Sequence, residues 1–252
     1  MLFIFPLDTQ KKERAPKKMR DGRLDAARGV AFVLMLVHHL TFFGLLASRK
    51  PLDVPPFVAT CGSVARCSFI VIAGVALGKQ HAKAAKSAKG GTLGARLARC
   101  ATIAAHAAVI SLVTRLALPD VWVRFGILHF MCVALLVTAV LLAAPAPLAV
   151  AGAVALLLAP RTGLWAVDLA TGAAQPTAAT IDWFPLSRWL GPLWLGVALG
   201  SMLPAERAPT ERAVTGPAFV GALQFLGRNS LEIYTLHYAL LCAWAGAARA
   251  AF

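Results

Sequence analysis

The chain has 252 residues, of which 59% are hydrophobic and only 14% charged. A soluble domain carries nearer ~25% charged residues, so a water-soluble enzyme is excluded and the lipid bilayer is the first expected partner. The formal net charge of +14 would point to nucleic acid in a soluble protein. Here the Lys and Arg residues fall mostly between apolar runs, as positive-inside topology requires, and nucleic acid is not an expected partner.

Residues 1–24 are polar and basic and read as a cytoplasmic tail, with a transmembrane domain over 25–252. The leading MLFIF places its apolar residues before the charges, the reverse of a secretory signal, so no cleaved signal is expected. The continuous apolar runs lack two-residue alternation, which favours helices over a barrel. The fold class expected is therefore an all-α polytopic bundle of about seven spans. Their approximate ranges are 26–47, 57–78, 97–118, 125–143, 146–160, 186–203 and 229–248. The fifth is short for a hydrocarbon core that takes about 20 apolar residues to cross.

Loop charges orient the bundle. Lys79, Lys83, Lys86, Lys89, Arg96 and Arg99 crowd the second connection, and Arg207, Arg212 and Arg228 lie in the sixth. With the basic tail these face the cytoplasm, leaving the C-terminus outside.

The first span holds Arg28 and His39 at the two ends of R-G-V-A-F-V-L-M-L-V-H-H. Eleven residues at ~100° each return to within roughly 20° of the same face, and His39 lies about 16 Å further along the axis. Ionisable groups inside a span usually face protein or a wet cavity. Asp25, three residues before Arg28, is placed to form an ion pair with it. Arg66 adds a cation to the second span, and Arg124 and His129 flank the start of the fourth in R-F-G-I-L-H. In the last span, Asn229 followed by Glu232 resembles a helix N-cap arrangement. Ser230, Tyr234 and His237 then recur at four and three residues, forming one polar stripe. The five cysteines show no C-x-x-C spacing, so no zinc site and no disulfide framework is expected.

Five segments carry a family resemblance: R-L-D-A-A-R-G-V-A-F-V-L-M-L-V-H-H, S-F-I-V-I-A-G-V-A-L-G, F-G-I-L-H, I-D-W-F-P-L-S-R-W-L-G and L-G-R-N-S-L-E-I-Y-T-L-H. Together, in this order, they resemble the heparan-α-glucosaminide N-acetyltransferase catalytic-domain-like proteins. The R-x10-H element is also similar to the first-helix motif of wider membrane acyltransferases. Arg28 and His39 match that motif, His129 matches the histidine of F-G-I-L-H, and Tyr234 and His237 match the terminal S-L-x-I-Y-x-x-H. The chain departs from the family in its short length, in lacking a sizeable extracytoplasmic domain, and in Ala73, where relatives often carry serine.

The resemblance implies an acyltransferase that moves an acyl group, commonly acetyl, from coenzyme A on the cytoplasmic side to a sugar or other envelope acceptor. A compact, Ala-rich member of this kind suggests the bacterial inner membrane. His39, His129 and His237 are the catalytic candidates: His39 acts as general base or acyl carrier, and the other two position reactants. Arg28, Arg66 and Arg124 are the cations that would hold the acyl-CoA phosphates. No metal is required. The rival readings are a transporter or non-catalytic membrane protein, and a haem protein using paired histidines.

Overall fold

A computed structural model describes residues 21–49, 51–85, 93–143, 180–203 and 217–251. Within them lie α1 (Gly22–Ala47), α2 (Pro56–Ala85), α3 (Leu93–Ala117), α4 (Ile127–Ala143), α5 (Leu186–Met202), α6 (Ala218–Arg228) and α7 (Ser230–Ala250). The described residues form an all-helical membrane bundle. Six of the seven anticipated spans coincide with a helix; the fifth, at 146–160, and residues 1–20 of the tail expected over 1–24 lie outside the described residues, while the last residues of that tail cap and open α1.

Local chemistry sets the helix ends. Asp21 caps α1, its carboxylate accepting the Arg23 and Leu24 amides at 3.1 and 3.2 Å. Pro56 opens α2, where its missing N–H removes no helical bond. Asn229 departs from expectation. Its side chain donates to the Phe225 carbonyl at 2.9 Å, closing the end of α6, and gives α7 no side-chain cap. Because α6 runs straight into α7, an orphan carbonyl competes for the same amide group. Glu232 is thereby free of a capping role.

α1, α3 and α7 run in one direction and α2, α4 and α5 in the other. His39 meets His237 and Phe43 meets Tyr238, so α7 lies parallel to α1. His106 meets Thr235 and Gly246 abuts Ala117, so α3 follows α7. Lys79 reaches Asp21 at 2.6 Å, bringing the last turns of α2 back to the start of α1. The bundle therefore has a basic end, where α1, α3 and α7 begin, and a far end, where α2, α4 and α5 begin.

Lipid offers no hydrophobic force between helices, so close backbone approach has to hold them. Gly74 and Gly78 of α2 face the Leu193 and Val197 carbonyls of α5, while Gly196 and Gly200 face the Val71 and Val75 carbonyls in return. A side chain at any of the four would strike backbone. Only 33% of the apolar window of α1 is buried within the protein, and Leu40, Leu116, Val140 and Leu240 remain exposed on the bundle surface. An apolar exterior of this kind suits a hydrocarbon solvent.

At the far end, two connections lock together. Ile181 N–H donates to the Val121 carbonyl and Phe184 N–H to the Phe125 carbonyl, at 3.0 and 2.9 Å. Thr180 donates to the Trp122 carbonyl at 2.9 Å. Phe130, Phe184 and Leu186 pack beneath this seam with essentially no exposure.

Candidate active site

Two rings meet at the centre of the bundle. His39 Nδ1 lies 3.0 Å from His237 Nε2, and His237 Nδ1 lies 3.0 Å from the Ile233 carbonyl. A carbonyl can only accept, so His237 carries its hydrogen on Nδ1, and its neutral ring offers a lone pair at Nε2. His39 must therefore donate from Nδ1. Its Nε2 is left with a lone pair and no hydrogen-bond partner among the described residues. Around this pair, Tyr238, Phe43 and Phe32 pack edge-on, with ring centroids 5.3 to 6.2 Å away. The Ile233 carbonyl, one turn back on α7, thus fixes through His237 which nitrogen of His39 is open.

His129 is held differently. Gly126 N–H donates to its Nδ1 at 3.3 Å, and its Nε2 lies 3.2 Å from Ser111 Oγ. Ser111 spends its own hydrogen on the Val123 carbonyl at 2.8 Å, so it accepts from His129. Both nitrogens are used. His129, Ser111 and Thr114, whose hydroxyl takes the Val123 amide at 3.0 Å, fasten the turn between α3 and α4.

Toward the basic end, a cavity of about 370 Å³ opens between α1, α2, α3, α4, the end of α6 and α7. Arg28, Arg99 and Arg228 line it, together with Gln80, Ser230 and Glu232, while Met35, Ile127 and Tyr234 stand among its inner residues. Asp25, only 1% exposed, holds two of these cations: Arg28 at 3.0 Å and Arg228 at 3.2 Å. One buried carboxylate thereby fixes one guanidinium from α1 and another from the end of α6. A guanidinium presents its N–H groups in a planar fork, the geometry that matches carboxylate and phosphate oxygens.

His39 does not line the cavity. Met35, one turn before it on α1, and Tyr234, whose ring centroid is 6.2 Å from that of His39, do. The stripe seen in the last span is thus continuous: Ser230 and Tyr234 line the cavity, and His237 lies one turn beyond.

The other two arginines singled out lie elsewhere. Arg66 is bonded on α2, to the Gly62 carbonyl at 3.2 Å and Ser63 Oγ at 3.3 Å. Arg124 lies at the far end with its guanidinium over the Trp122 ring, 5.0 Å from the centroid. The geometry brings neither to the cavity of Arg28. Arg99 and Arg228 line that cavity with Arg28, and loop charge was the only sequence signal pointing to them.

Asp182 was also missed. It lies in the far-end connection and accepts the Ile127 amide at 3.3 Å. Burial pushes its carboxyl up to about 7, although the Ile127 amide and the Arg66 charge pull the other way. Gly126 leaves the space that Asp182 Oδ2 fills.

Among the described residues no group of three or more His, Cys, Asp or Glu side chains is arranged to hold a metal. The shared hydrogen bond between His39 and His237 also leaves no room for an iron between those rings.

The chain matches a family described as "Heparan-alpha-glucosaminide N-acetyltransferase, catalytic" over residues 20–239. No curated protein and no solved structure matches it.

Proposed function

Since the chain belongs to the heparan-alpha-glucosaminide N-acetyltransferase catalytic family, and so to the membrane acyltransferases, we propose that it carries an acetyl group from acetyl-CoA at its basic, cytoplasmic end to a hydroxyl or amine presented from the far side. The setting of this reading is a bacterial inner membrane, with a sugar or other envelope molecule as acceptor.

The observation that carries this reading is the alignment of three features along α1. The arginine-lined mouth suits the phosphates of a coenzyme A thioester. The mainly apolar cavity behind it suits the pantetheine arm. His39 lies about 16 Å beyond Arg28 at ~1.5 Å per residue, with an open Nε2. The thioester reaches that nitrogen once the Tyr234 ring swings aside.

In the direct route, His39 Nε2 takes the proton from the acceptor's oxygen or nitrogen as that atom bonds to the thioester carbonyl carbon. The carbon–sulfur bond then breaks, and the coenzyme A thiolate takes the proton back. His39 becomes imidazolium only in between, and His237 supports that charge by accepting from Nδ1. In the alternative route, Nε2 attacks the carbonyl carbon and the carbon–sulfur bond breaks, releasing the coenzyme A thiolate; the acceptor then displaces Nε2 from the acetyl group, and the acceptor's proton goes to the thiolate. Both routes use the same nitrogen. In both, Arg28, Arg228 and Arg99 bind the donor while His129 fastens the α3–α4 turn.

Proteoliposomes with the basic end outward test this. Radiolabelled acetyl-CoA is supplied outside, and amino-sugar and hexose acceptors are sealed inside. The reading expects label on the enclosed acceptor while coenzyme A stays outside. Label reaching an acceptor only when both reactants share one side, or no transfer to any acceptor, contradicts it.

A further inference from the structure

A second, smaller pocket lies beside the donor cavity, between α2, α3 and α4 near the basic end. Its volume is about 190 Å³, and it shares Leu77, Gln80, Arg99 and Leu135 with the cavity already described. Its walls are mostly aliphatic, with Leu136, Ala139 and Leu142 from α4 facing Ala84 and Ala95. His81 and Arg96 join Arg99 in its lining.

One atom in it is out of place for a lipid-filled crevice. Thr138 lines the pocket and is 2% exposed, yet its hydroxyl has no hydrogen-bond partner among the described residues. Buried threonines on helices can bond the carbonyl four residues back, as Thr114 and Thr235 do here. An unmet buried hydroxyl costs stability, and a hydrocarbon chain would leave it unmet. A flat, mainly apolar ring with polar atoms at its edge would satisfy it. The cations around it call for a phosphate on the same ligand.

We infer that this pocket is a nucleoside subsite: it takes the adenine of the coenzyme A donor, with Thr138 hydrogen-bonding the base edge and Arg96 and His81 meeting the ribose phosphate. Arg99, common to both pockets, then sits where the nucleotide joins the pantetheine arm. This rests on the acyl-CoA reading above and adds to it a location and a consequence. The enzyme discriminates complete coenzyme A from its shorter pantetheine fragments, and does so through α4.

Calorimetry on the purified full-length chain tests the assignment with coenzyme A and 4′-phosphopantetheine as probes. Coenzyme A is expected to bind the unaltered protein at least roughly tenfold more tightly than the fragment, as one or more added charge-assisted bonds allow. Ala139→Trp fills the pocket. It is expected to bring coenzyme A down to the level of the fragment while leaving the fragment unchanged. Thr138→Val is the gentler variant should the tryptophan disturb folding. It removes an unmet hydroxyl, so thermal stability holds or rises while coenzyme A binding weakens roughly three- to tenfold. Equal weakening of both probes in Ala139→Trp, or unchanged coenzyme A binding in Thr138→Val, overturns the subsite. If neither probe binds the unaltered protein, the donor reading itself fails, and the subsite with it.

Discussion

His39 and His129 both lie within apolar spans and both make ring hydrogen bonds, yet the bonds leave them chemically unlike. His129 receives at one nitrogen and gives at the other, so nothing is left for a substrate. His39 gives at Nδ1 to a partner already committed to a carbonyl, and its Nε2 has no hydrogen-bond partner among the described residues. A histidine in a membrane span is therefore assigned by following its partners outward until a backbone group fixes the hydrogen. Position alone does not separate a base from a brace.

The comparison breaks most visibly in activity. His39→Ala is expected to reduce acetyl transfer about 10²- to 10⁴-fold, the usual share of a positioned base, with the melting temperature little changed. Transfer from radiolabelled acetyl-CoA checks this, and undiminished turnover would return His39 to a packing role. Next come Arg28→Gln and Arg228→Gln. Each is expected to raise KM for acetyl-CoA by roughly tenfold or more, since a charge-assisted bond is worth about 1.5–3 kcal/mol. Steady-state kinetics should show kcat falling less than KM rises.

His237 sharpens the contrast further. His237→Leu removes the acceptor for His39 Nδ1 and should lower kcat by about tenfold, within the range of general base effects. His237→Gln, whose amide oxygen can still accept, should recover part of that loss. Equal losses in the two variants would show that His237 only fills space.

Ser111→Ala tests the brace. It strips the Val123 carbonyl and His129 Nε2 of their partner, which should cost about 1–3 kcal/mol of stability. The folded fraction should keep full activity, measured as turnover per correctly folded molecule. At Asp182 the effect is expected in the pH dependence of stability alone, with activity unchanged. Its carboxyl titrates at about 7 in the fold and near ~3.9 when unfolded, so the folded state binds the extra proton between those values. Stability should fall as pH rises from about 4 to 7 and then level off. Asp182→Asn should flatten that decline in melting curves taken at pH 5 and pH 8; parallel curves would remove Asp182 from the account.

Much of the architecture was visible in hydropathy and loop charge. Six helices fall where continuous apolar runs place them, because lipid leaves a backbone few other ways to satisfy its polar groups. The spacing of Arg28 and His39 put them on one face, and Ser230, Tyr234 and His237 form the stripe that continues from cavity to rings. What stayed hidden was contact between distant segments. Nothing local in α1 and α7 states that His39 meets a ring 198 positions away. Arg99 and Arg228 were absorbed into the explanation of topology, although both line the cavity and Asp25 ties Arg228 into its wall. Arg124 looked comparable to Arg28 in sequence, but the turn of the chain after α3 carries it to the opposite end. The spacing of Gly74 with Gly78 and of Gly196 with Gly200 was a legible signal for the α2–α5 crossing, and it went unused.

The order of hydrogens in the two-ring chain can be read directly by nitrogen NMR of histidine-labelled protein in lipid nanodiscs, assigned with His39→Ala and His237→Gln. The account requires hydrogen on Nδ1 of both rings, with the His39 Nε2 signal carrying the lone pair and shifting when coenzyme A is added. Hydrogen on Nε2 of His39, with Nδ1 bare, would close the nitrogen that the whole proposal uses.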